Sequence, residues 1–177
     1  MRAIDGEVFA AFDVQRMSRA FVRESDEAAE SLPERVVSSH PNFVTTTGLR
    51  QIEEQVANLE TARQTARGAA DKALLARIER DLRYWTQRLA TARVIEFAPA
   101  SANVRFGTRV TVRFEDGAER TFQLVGEDEA NPAQGLLSWV APLAAAVVGQ
   151  AAGDTLDFQG RPVEIVSVDS DCRKQGG

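Results

Sequence analysis

The hydrophobic positions of this chain follow three different patterns along its length. Residues 1–42 show no sustained period, residues 43–93 repeat apolar side chains at steps of three and four, and residues 94–169 alternate apolar with polar side chains. Steps of three and four keep one stripe of an α-helix facing a partner, whereas strict alternation is typical of a half-buried strand. We therefore divide the chain into an N-terminal arm, a helical segment, a sheet domain and a short tail.

The arm and the tail have little apolar surface to bury. The arm, residues 1–42, carries the acidic side chains Glu24, Asp26 and Glu27 close together, and we expect it to be flexible or loosely docked. A short helix is predicted at residues 4–12. Translation can equally begin at Met17, which would leave residues 1–16 outside the native protein. The tail, residues 170–177, is expected to be disordered.

The helical segment, residues 43–93, contains no proline and is predicted to form an antiparallel helical hairpin. Thr45, Thr46 or Thr47 caps the first helix, and Gly68 reverses the chain because glycine enters the left-handed region without steric cost. One continuous helix through Gly68 is the alternative; it costs only about 1 kcal/mol relative to alanine, but leaves both apolar stripes exposed. The predicted contact positions are Leu49, Ile52, Val56, Leu59, Arg63 and Ala66 in the first arm, and Asp71, Leu75, Ile78, Leu82, Trp85, Leu89 and Ala92 in the second.

The third segment predicts a small α+β domain with an antiparallel sheet and one short helix. Val110, Val112 and Phe114 alternate with polar residues, and the Asp116-Gly117 turn leads into a returning strand at residues 121–125. A polar loop spans residues 126–135, and a short helix is predicted at residues 142–148, closed by a glycine. Two further strands, residues 155–158 and 163–168, flank a turn at residues 159–161.

The net charge is informative about function only when it is counted separately for each segment of the chain. The chain has 21 basic and 26 acidic side chains, a net charge of −5, which argues against a protein that mainly grips nucleic-acid phosphates. Residues 46–92, however, carry 8 basic and 6 acidic side chains between two acidic flanks. No apolar run approaches the ~18 residues of a membrane span, and the first residues lack a signal-peptide pattern. We expect a cytoplasmic protein.

Residues that carry catalytic chemistry are scarce. The one cysteine, Cys172, and the one histidine, His40, provide neither a disulfide framework nor a zinc site. We interpret His40 as a solvated loop residue and Cys172 as an incidental thiol. The acids Glu127, Asp128 and Glu129 lack the alternating spacing of a calcium loop; they form either a solvated turn or a partner-binding surface. We expect no cofactor.

Several motifs resemble the GreA/GreB family of transcription elongation factors. They are VRFGTRVTV at residues 104–112, LVGEDEA at 124–130, LSWVAPLA at 137–144, and FVTTTGL at 43–49. The resemblance implies an FKBP-like C-terminal domain that docks on the rim of the secondary channel of bacterial RNA polymerase, and a helical hairpin that enters the channel. In the cleavage factors of the family, an Asp and a nearby Glu at the hairpin tip hold Mg²⁺, which activates water to cut backtracked RNA.

The hairpin tip departs from this pattern. Asp71 is the one acid near the reversal, and it lies between Arg67 and Lys72. The next acid, Glu79, is eight residues further on, about 12 Å along a helix, which is too far to share one ion. The arms also look shorter than those of the cleavage factors, as in the short-hairpin branch that includes the Rnk regulator. We therefore expect a polymerase-binding regulator that is not itself an enzyme; the alternative is an active factor that uses Asp71 and a polymerase-bound Mg²⁺.

The same resemblance implies which residues contact the polymerase. The docking residues are Asp128, Glu129, Ser138, Pro142 and Leu143, and the tip consists of Arg67, Gly68, Asp71 and Lys72. Ala141 stands where the family usually has a serine. We expect a monomer that contacts RNA and DNA only indirectly, within the polymerase complex, and no membrane. Two further hypotheses are a prolyl isomerase, which needs an aromatic-lined pocket, and a hairpin that serves only for dimerisation.

Overall fold

The computed structural model describes residues 32–69, 71–96 and 102–169. The short helix predicted at residues 4–12, the first 31 residues of the arm and the tail at residues 170–177 lie outside the described residues. Among the helices of the described ranges, none combines the length and the apolar composition needed to cross a membrane.

Two long helices form an antiparallel hairpin, as the heptad pattern predicts. Helix α1 spans Thr46–Gly68 and helix α2 spans Lys72–Thr91, so the arms are about 35 and 30 Å long. Ile52 and Ala66 of α1 and Ile78 and Leu82 of α2 are buried, which places the predicted stripes against each other. Thr45 caps α1: its Oγ1 accepts a hydrogen bond of 3.0 Å from the backbone N–H of Gly48.

The chain reverses at Ala69–Asp71 and not through a left-handed glycine, so this part of the prediction is wrong. Gly68 is the last residue of α1, and Ala69 after it remains in the right-handed region at φ −82° and ψ −5°. The backbone N–H of Asp71 bonds to Ala66 O at 3.3 Å, and neither Gly68 nor Ala69 has a positive φ. Asp71, predicted as a contact position, is exposed and begins α2.

A pair of two-residue strands joins the two ends of the hairpin. Strand β1, Phe43–Val44, pairs in parallel with strand β2, Arg93–Val94. Ile95 N donates to Val44 O at 3.1 Å and continues the pairing beyond β2. The chain therefore enters and leaves the hairpin at one point. Strands this short carry no periodic signal, and the sequence did not predict them.

The third segment forms a five-stranded sheet in the order β5-β4-β3-β7-β6. Its elements are β3 (Arg109–Phe114), β4 (Glu119–Val125), β5 (Leu136–Ser138), helix α3 (Pro142–Val147), β6 (Thr155–Phe158) and β7 (Arg161–Asp169), with one 3₁₀ turn at Pro132–Gln134. The α+β class is confirmed. The sheet is mixed and not antiparallel throughout, because β5, which the sequence did not predict, pairs in parallel with β4.

The domain core lies between this sheet and α3. Val110 and Val112 are buried and Phe114 packs against the same cluster, as the alternation predicts. Gln159 at φ 57° and Gly160 at φ 78° form the predicted turn between β6 and β7, where both positions need a left-handed backbone. The core cluster consists of Val104, Val110, Val112, Leu124, Ala144, Val147, Val163 and Ile165.

Candidate functional site

The hairpin tip presents isolated charges and no paired carboxylates. Asp71 Oδ1 accepts a hydrogen bond of 2.9 Å from the N–H of Leu74, so this carboxylate is the N-cap of α2. Glu79 Oε1 accepts from Arg67 at 3.3 Å across the hairpin. Within the described residues, no group of three or more His, Cys, Asp or Glu side chains is placed to hold a metal ion. The tip residues therefore do not fit the Mg²⁺ site of the cleavage factors.

Glu129 of the acidic loop binds the start of the hairpin. Its Oε1 accepts from the backbone N–H groups of Thr45 at 2.9 Å and Gly126 at 3.1 Å, and its Oε2 accepts from Thr45 Oγ1 at 2.5 Å. A Cβ atom at Gly48 would lie 2.1 Å from the carboxyl carbon of Glu129, so the approach of this carboxylate requires a glycine at position 48. Glu129 is therefore held by the start of the hairpin, and its role in docking stays a prediction.

Asp128 binds the end of the hairpin in the same way. Its Oδ2 accepts from Arg88 Nε at 2.5 Å, and its Oδ1 accepts from the hydroxyl of Tyr84 at 2.6 Å. Arg88 is only 1% exposed, and its guanidinium also lies 3.6 Å from Glu127 Oε2. Burial, together with the hydrogen bond to Asp128, raises the pKa of Tyr84 to about 12. Asp128 is thus an internal ion-pair partner, and its role in docking stays a prediction.

We call these five residues, Thr45, Tyr84, Arg88, Asp128 and Glu129, the junction network. It joins both ends of the hairpin to the loop after β4, and the acids lie inside the protein because hydrogen bonds and a cation offset their desolvation. Sequence reasoning missed Tyr84 and Arg88. The available signal was their spacing of four residues, which places both on one face of α2 beside the predicted apolar stripe.

Aromatic side chains pack beside the junction network. Trp139 contacts Phe43 with ring centroids 5.0 Å apart, and Phe43 contacts Phe106 at 6.0 Å. His40 meets the edge of Trp139 at 6.1 Å, and its side chain stays 56% exposed, with Nδ1 3.9 Å from Glu127 Oε1. Trp139 thus connects the sheet domain to the hairpin.

The remaining predicted docking residues cluster at the turn between β5 and α3. Ser138 ends β5, and its carbonyl accepts from Ala141 N at 2.9 Å. Pro142 is exposed at the start of α3, while Leu143 is half-buried against the core. Ser138 Oγ and Trp139 Nε1 are buried without a hydrogen-bond partner among the described residues. Ala141 is the N-cap of α3 and provides no side-chain cap, so the serine that the family usually has there would supply a missing acceptor.

The described part of the arm, residues 32–42, contacts α2, which agrees with the loosely docked alternative for these residues. Asn42 is buried, and its Nδ2 donates to Arg88 O at 2.7 Å. Arg35 lies over the ring of Tyr84 at 3.8 Å. Glu34 accepts two hydrogen bonds from Arg83, one of them 3.1 Å from Nε, which lowers the pKa of Glu34.

Two of the sequence hypotheses lose support from this geometry. Phe114, Phe122 and Phe158 pack against the core, while Phe106 and Trp139 face Phe43, so these aromatic residues do not line a common pocket. An open cleft of about 460 Å³ near the β3–β4 turn has one aromatic residue and mostly charged walls. Ile52, Ala66, Ile78 and Leu82 of the two stripes are buried within the hairpin, which leaves less apolar surface for a second copy.

Fold and site together define a class: a helical hairpin fixed to a small mixed-sheet domain, with an exposed turn beside the hairpin base. The model of the "Transcription elongation factor, GreA/GreB, C-term" family matches residues 99–170. The chain is 39% identical over 115 residues to transcription elongation factor GreA of Chloroflexus aurantiacus, covering 62% of this chain and 73% of that protein. This chain belongs to the GreA/GreB family.

Two further proteins to which the chain is similar also carry names of this family. The chain is 38% identical over 98 residues to transcription elongation factor GreB of Neisseria meningitidis, covering 52% of this chain and 60% of that protein. The solved structure of a GreA/GreB factor from Nitrosomonas europaea is 22% identical and covers 72% of this chain and 98% of that one, with a TM-score of 0.36. That TM-score is too low to add to the fold described above.

Proposed function

We propose that this chain binds bacterial RNA polymerase at the secondary channel, with its hairpin inserted and its sheet domain docked on the rim, and that it regulates elongation without promoting efficient RNA cleavage. It acts in the cytoplasm as a monomer, is not an enzyme, needs no cofactor and contacts RNA and DNA only within the polymerase complex. The observation that carries the proposal is the use of Asp71, whose carboxylate caps α2 at 2.9 Å from Leu74 N.

The tip chemistry supports binding without cleavage. A magnesium ion shared with the polymerase needs several oxygen ligands close together, yet Asp71 stands alone and Glu79 is bonded to Arg67. Arg67 and Lys72 add positive charge beside Asp71, which favours contact with phosphates or acidic side chains over a cation. The hairpin therefore occupies the channel and supplies no metal-binding pair.

The docking face is the turn that carries Ser138, Pro142 and Leu143. Pro142 is exposed there, so a partner can contact this turn directly. The junction network fixes the hairpin relative to this face, so one rigid body presents both contacts to the polymerase.

Polymerase pull-down with two matched variants tests the docking face. Pro142→Glu places a charge on the face, and we expect it to reduce retention at least tenfold. The control variant, Ala118→Glu, places the same charge in the β3–β4 turn. This turn lies at the start of β4, whereas the docking face lies near the end of β4, where Trp139 N is bonded to Val125 O at 2.9 Å. We expect Ala118→Glu to leave retention unchanged. Asp128→Lys is a poor probe of docking because it also breaks the junction network. Equal retention of both glutamate variants would refute the docking face.

A cleavage assay on a backtracked complex tests the second part. We expect the wild-type protein to leave the RNA length unchanged while it binds the complex. The alternative, an active factor that uses Asp71 and a polymerase-bound Mg²⁺, predicts shortened RNA that is lost in Asp71→Asn, a variant that keeps a capping side chain. Shortened RNA with the wild type and none with Asp71→Asn would overturn our proposal in favour of that alternative.

A further inference from the structure

The core face of the five-stranded sheet carries two arginines near the turn between β3 and β4. Val112 of β3 pairs with Arg120 of β4, and Phe114 of β3 pairs with Val163 of β7. Directly paired residues project to the same face of a sheet, and so do residues two apart on one strand. Arg120 therefore lies on the face of the buried Val112, and Arg161 lies on the face of the buried Val163.

These side chains line an open cleft of about 460 Å³, a volume within the usual range of small-molecule sites. The half-buried ring of Phe114 packs against the core cluster and provides an apolar wall. The guanidinium carbon of Arg120 lies 5.9 Å from the centre of this ring. Arg120 and Arg161 are exposed, so α3 leaves this end of the core face uncovered. The remaining lining residues are Glu115, Asp116 and Ala118.

The two guanidinium groups of the cleft have no acidic partner. Within residues 32–69, 71–96 and 102–169, neither the Arg120 nor the Arg161 side chain makes a hydrogen bond or an ion pair. Arg113, on the opposite face of β3, provides the contrast, because its guanidinium bonds to Glu119 at 3.0 Å and to Glu164 at 2.8 Å. The sheet thus pairs the arginine of its outer face and leaves the two arginines of the cleft with free donors.

The acids of the cleft do not neutralise these cations. Asp116 Oδ1 accepts a hydrogen bond of 2.9 Å from Ala118 N, which turns this carboxylate towards the backbone of the β3–β4 turn. Glu115 is exposed and, within the described part of the chain, bonds to neither arginine. A guanidinium group presents its N–H donors in a planar fork that matches a carboxylate or a phosphate group. The free donors are therefore available to an anion that arrives from solvent.

We propose that this cleft binds a small organic anion. Arg120 and Arg161 hold its carboxylate or phosphate group, and a flat apolar group of the ligand packs against the ring of Phe114, where aromatic contact adds to the burial of apolar surface. Glu115 limits the charge of the ligand, because its carboxylate repels a second anionic group. The ligand class is therefore a ring-bearing molecule with one anionic group and not a polyanion.

The cleft and the proposed docking face lie at opposite ends of β4. Arg120 is the second residue of this strand and Val125 is its last, so the two lie about 17 Å apart along it. Trp139 N bonds to Val125 O at 2.9 Å, which places the docking face at the far end. A ligand in the cleft leaves that face open, and the site is separate from the proposed polymerase contact.

Amide chemical shifts of the full-length protein test the site with two probes. Adenosine 5′-monophosphate and N-acetyl-phenylalanine each carry a ring and one anionic group, which is a phosphate in the first and a carboxylate in the second. We expect at least one probe to shift the amides of Gly117, Ala118 and Arg161 with a Kd of about 1 mM or lower, and the tighter probe identifies the anion. Adenosine, which lacks the anion, and inorganic phosphate, which lacks the ring, should bind at least tenfold more weakly. If neither complete probe saturates these shifts by about 10 mM, the proposal is refuted.

Charge variants separate a specific site from general attraction of anions. Arg120→Gln with Arg161→Gln is expected to weaken binding of the tighter probe at least tenfold. The matched control, Arg50→Gln with Arg105→Gln, removes the same charge from α1 and from the loop before β3 and should leave binding unchanged. Glu115→Gln should tighten binding about threefold, because it removes a like charge near the anion. Equal binding by the cleft variant and the wild type, equal losses in both glutamine pairs, or weaker binding by Glu115→Gln would each overturn the proposal.

Polymerase pull-down separates a small ligand from a macromolecular partner. We expect Arg120→Gln with Arg161→Gln to be retained as well as the wild type, like the Ala118→Glu control. A loss of retention of at least tenfold would overturn the proposal, because the two arginines would then contact the polymerase. The shift titration needs no polymerase, so its result stands even if the wild type is not retained and the proposed function fails.

Discussion

Replacing Arg88 by methionine removes the cation at the centre of the junction network and keeps most of the side-chain volume. Arg88 is 1% exposed, and its Nε lies 2.5 Å from Asp128 Oδ2. In the variant, Asp128 keeps the hydrogen bond from Tyr84 but loses its counter-charge, and Glu127 loses the guanidinium 3.6 Å away. Two carboxylates are then left close together without a cation.

The expected cost follows from the burial of these groups. Removing one member of a buried ion pair typically costs about 3–5 kcal/mol, because the remaining charge stays desolvated. Asp128 has a side chain 10% exposed and retains one donor, so we expect the lower end, about 3 kcal/mol. For a chain of this size, that corresponds to a decrease in Tm of about 6–12 °C.

Urea unfolding followed by circular dichroism measures this free energy. Asp128→Asn alone and the Arg88→Met, Asp128→Asn double variant complete a cycle. Because the double variant leaves no charge unpaired between these two residues, we expect it to be more stable than the sum of the single losses predicts, by at least 1 kcal/mol. Two outcomes would show that the junction network does not hold the hairpin as described. The first is a free energy of unfolding for Arg88→Met within about 0.5 kcal/mol of the wild-type value. The second is that the two single losses add within the usual error of such cycles.

Three further predictions concern single residues. Tyr84 is the chain's one tyrosine, so absorbance at alkaline pH should report its pKa of about 12. Because folding raises this pKa, the stability that Tyr84 contributes is present below about pH 10 and is lost as the pH rises through about 12. Asp128→Asn should lower the midpoint of the Tyr84 titration. Gly48→Ala should destabilise the protein by about 1–2 kcal/mol, because the new Cβ displaces Glu129 and breaks its hydrogen bonds to Thr45. Gly68→Ala has nothing within 4 Å of the new Cβ and should stabilise the protein by up to about 1 kcal/mol. Equal effects of the two variants in urea unfolding would contradict this prediction. Asp71→Ala should cost about 1 kcal/mol and Asp71→Asn much less, and equal losses on thermal unfolding would argue against the cap.

The sequence predicts the elements whose signal is periodic. The stripe of Ile78 and Leu82 in α2 and the alternation of Val110 and Val112 in β3 each lie within one element, so local pattern is sufficient. The junction network could not be predicted in this way, because Arg88 and Asp128 are 40 residues apart and acquire their meaning only when both segments are folded. An acidic run read locally resembles a solvated turn.

The hairpin tip shows the same limit on a smaller scale. Gly68 was expected to reverse the chain because it is permissive, but permissiveness does not require a positive φ, and α1 continues through it. Asp71 fits the heptad spacing, yet a short acidic side chain at a helix start is more useful as a cap. In both cases a local pattern allowed two structures, and the backbone hydrogen bonds of the turn selected one.

The parallel pairing of β1 with β2 makes the length of the hairpin independent of its attachment. The first arm begins, and the second arm ends, at the pair of two-residue strands β1 and β2. Removing or adding seven residues in each arm would therefore preserve the heptad register and leave this strand pair unchanged. Each such step would alter the reach of the hairpin by about 10.5 Å. The same base can therefore carry hairpins of different length. Selection on hairpin length alone can change which residues of a partner the tip contacts.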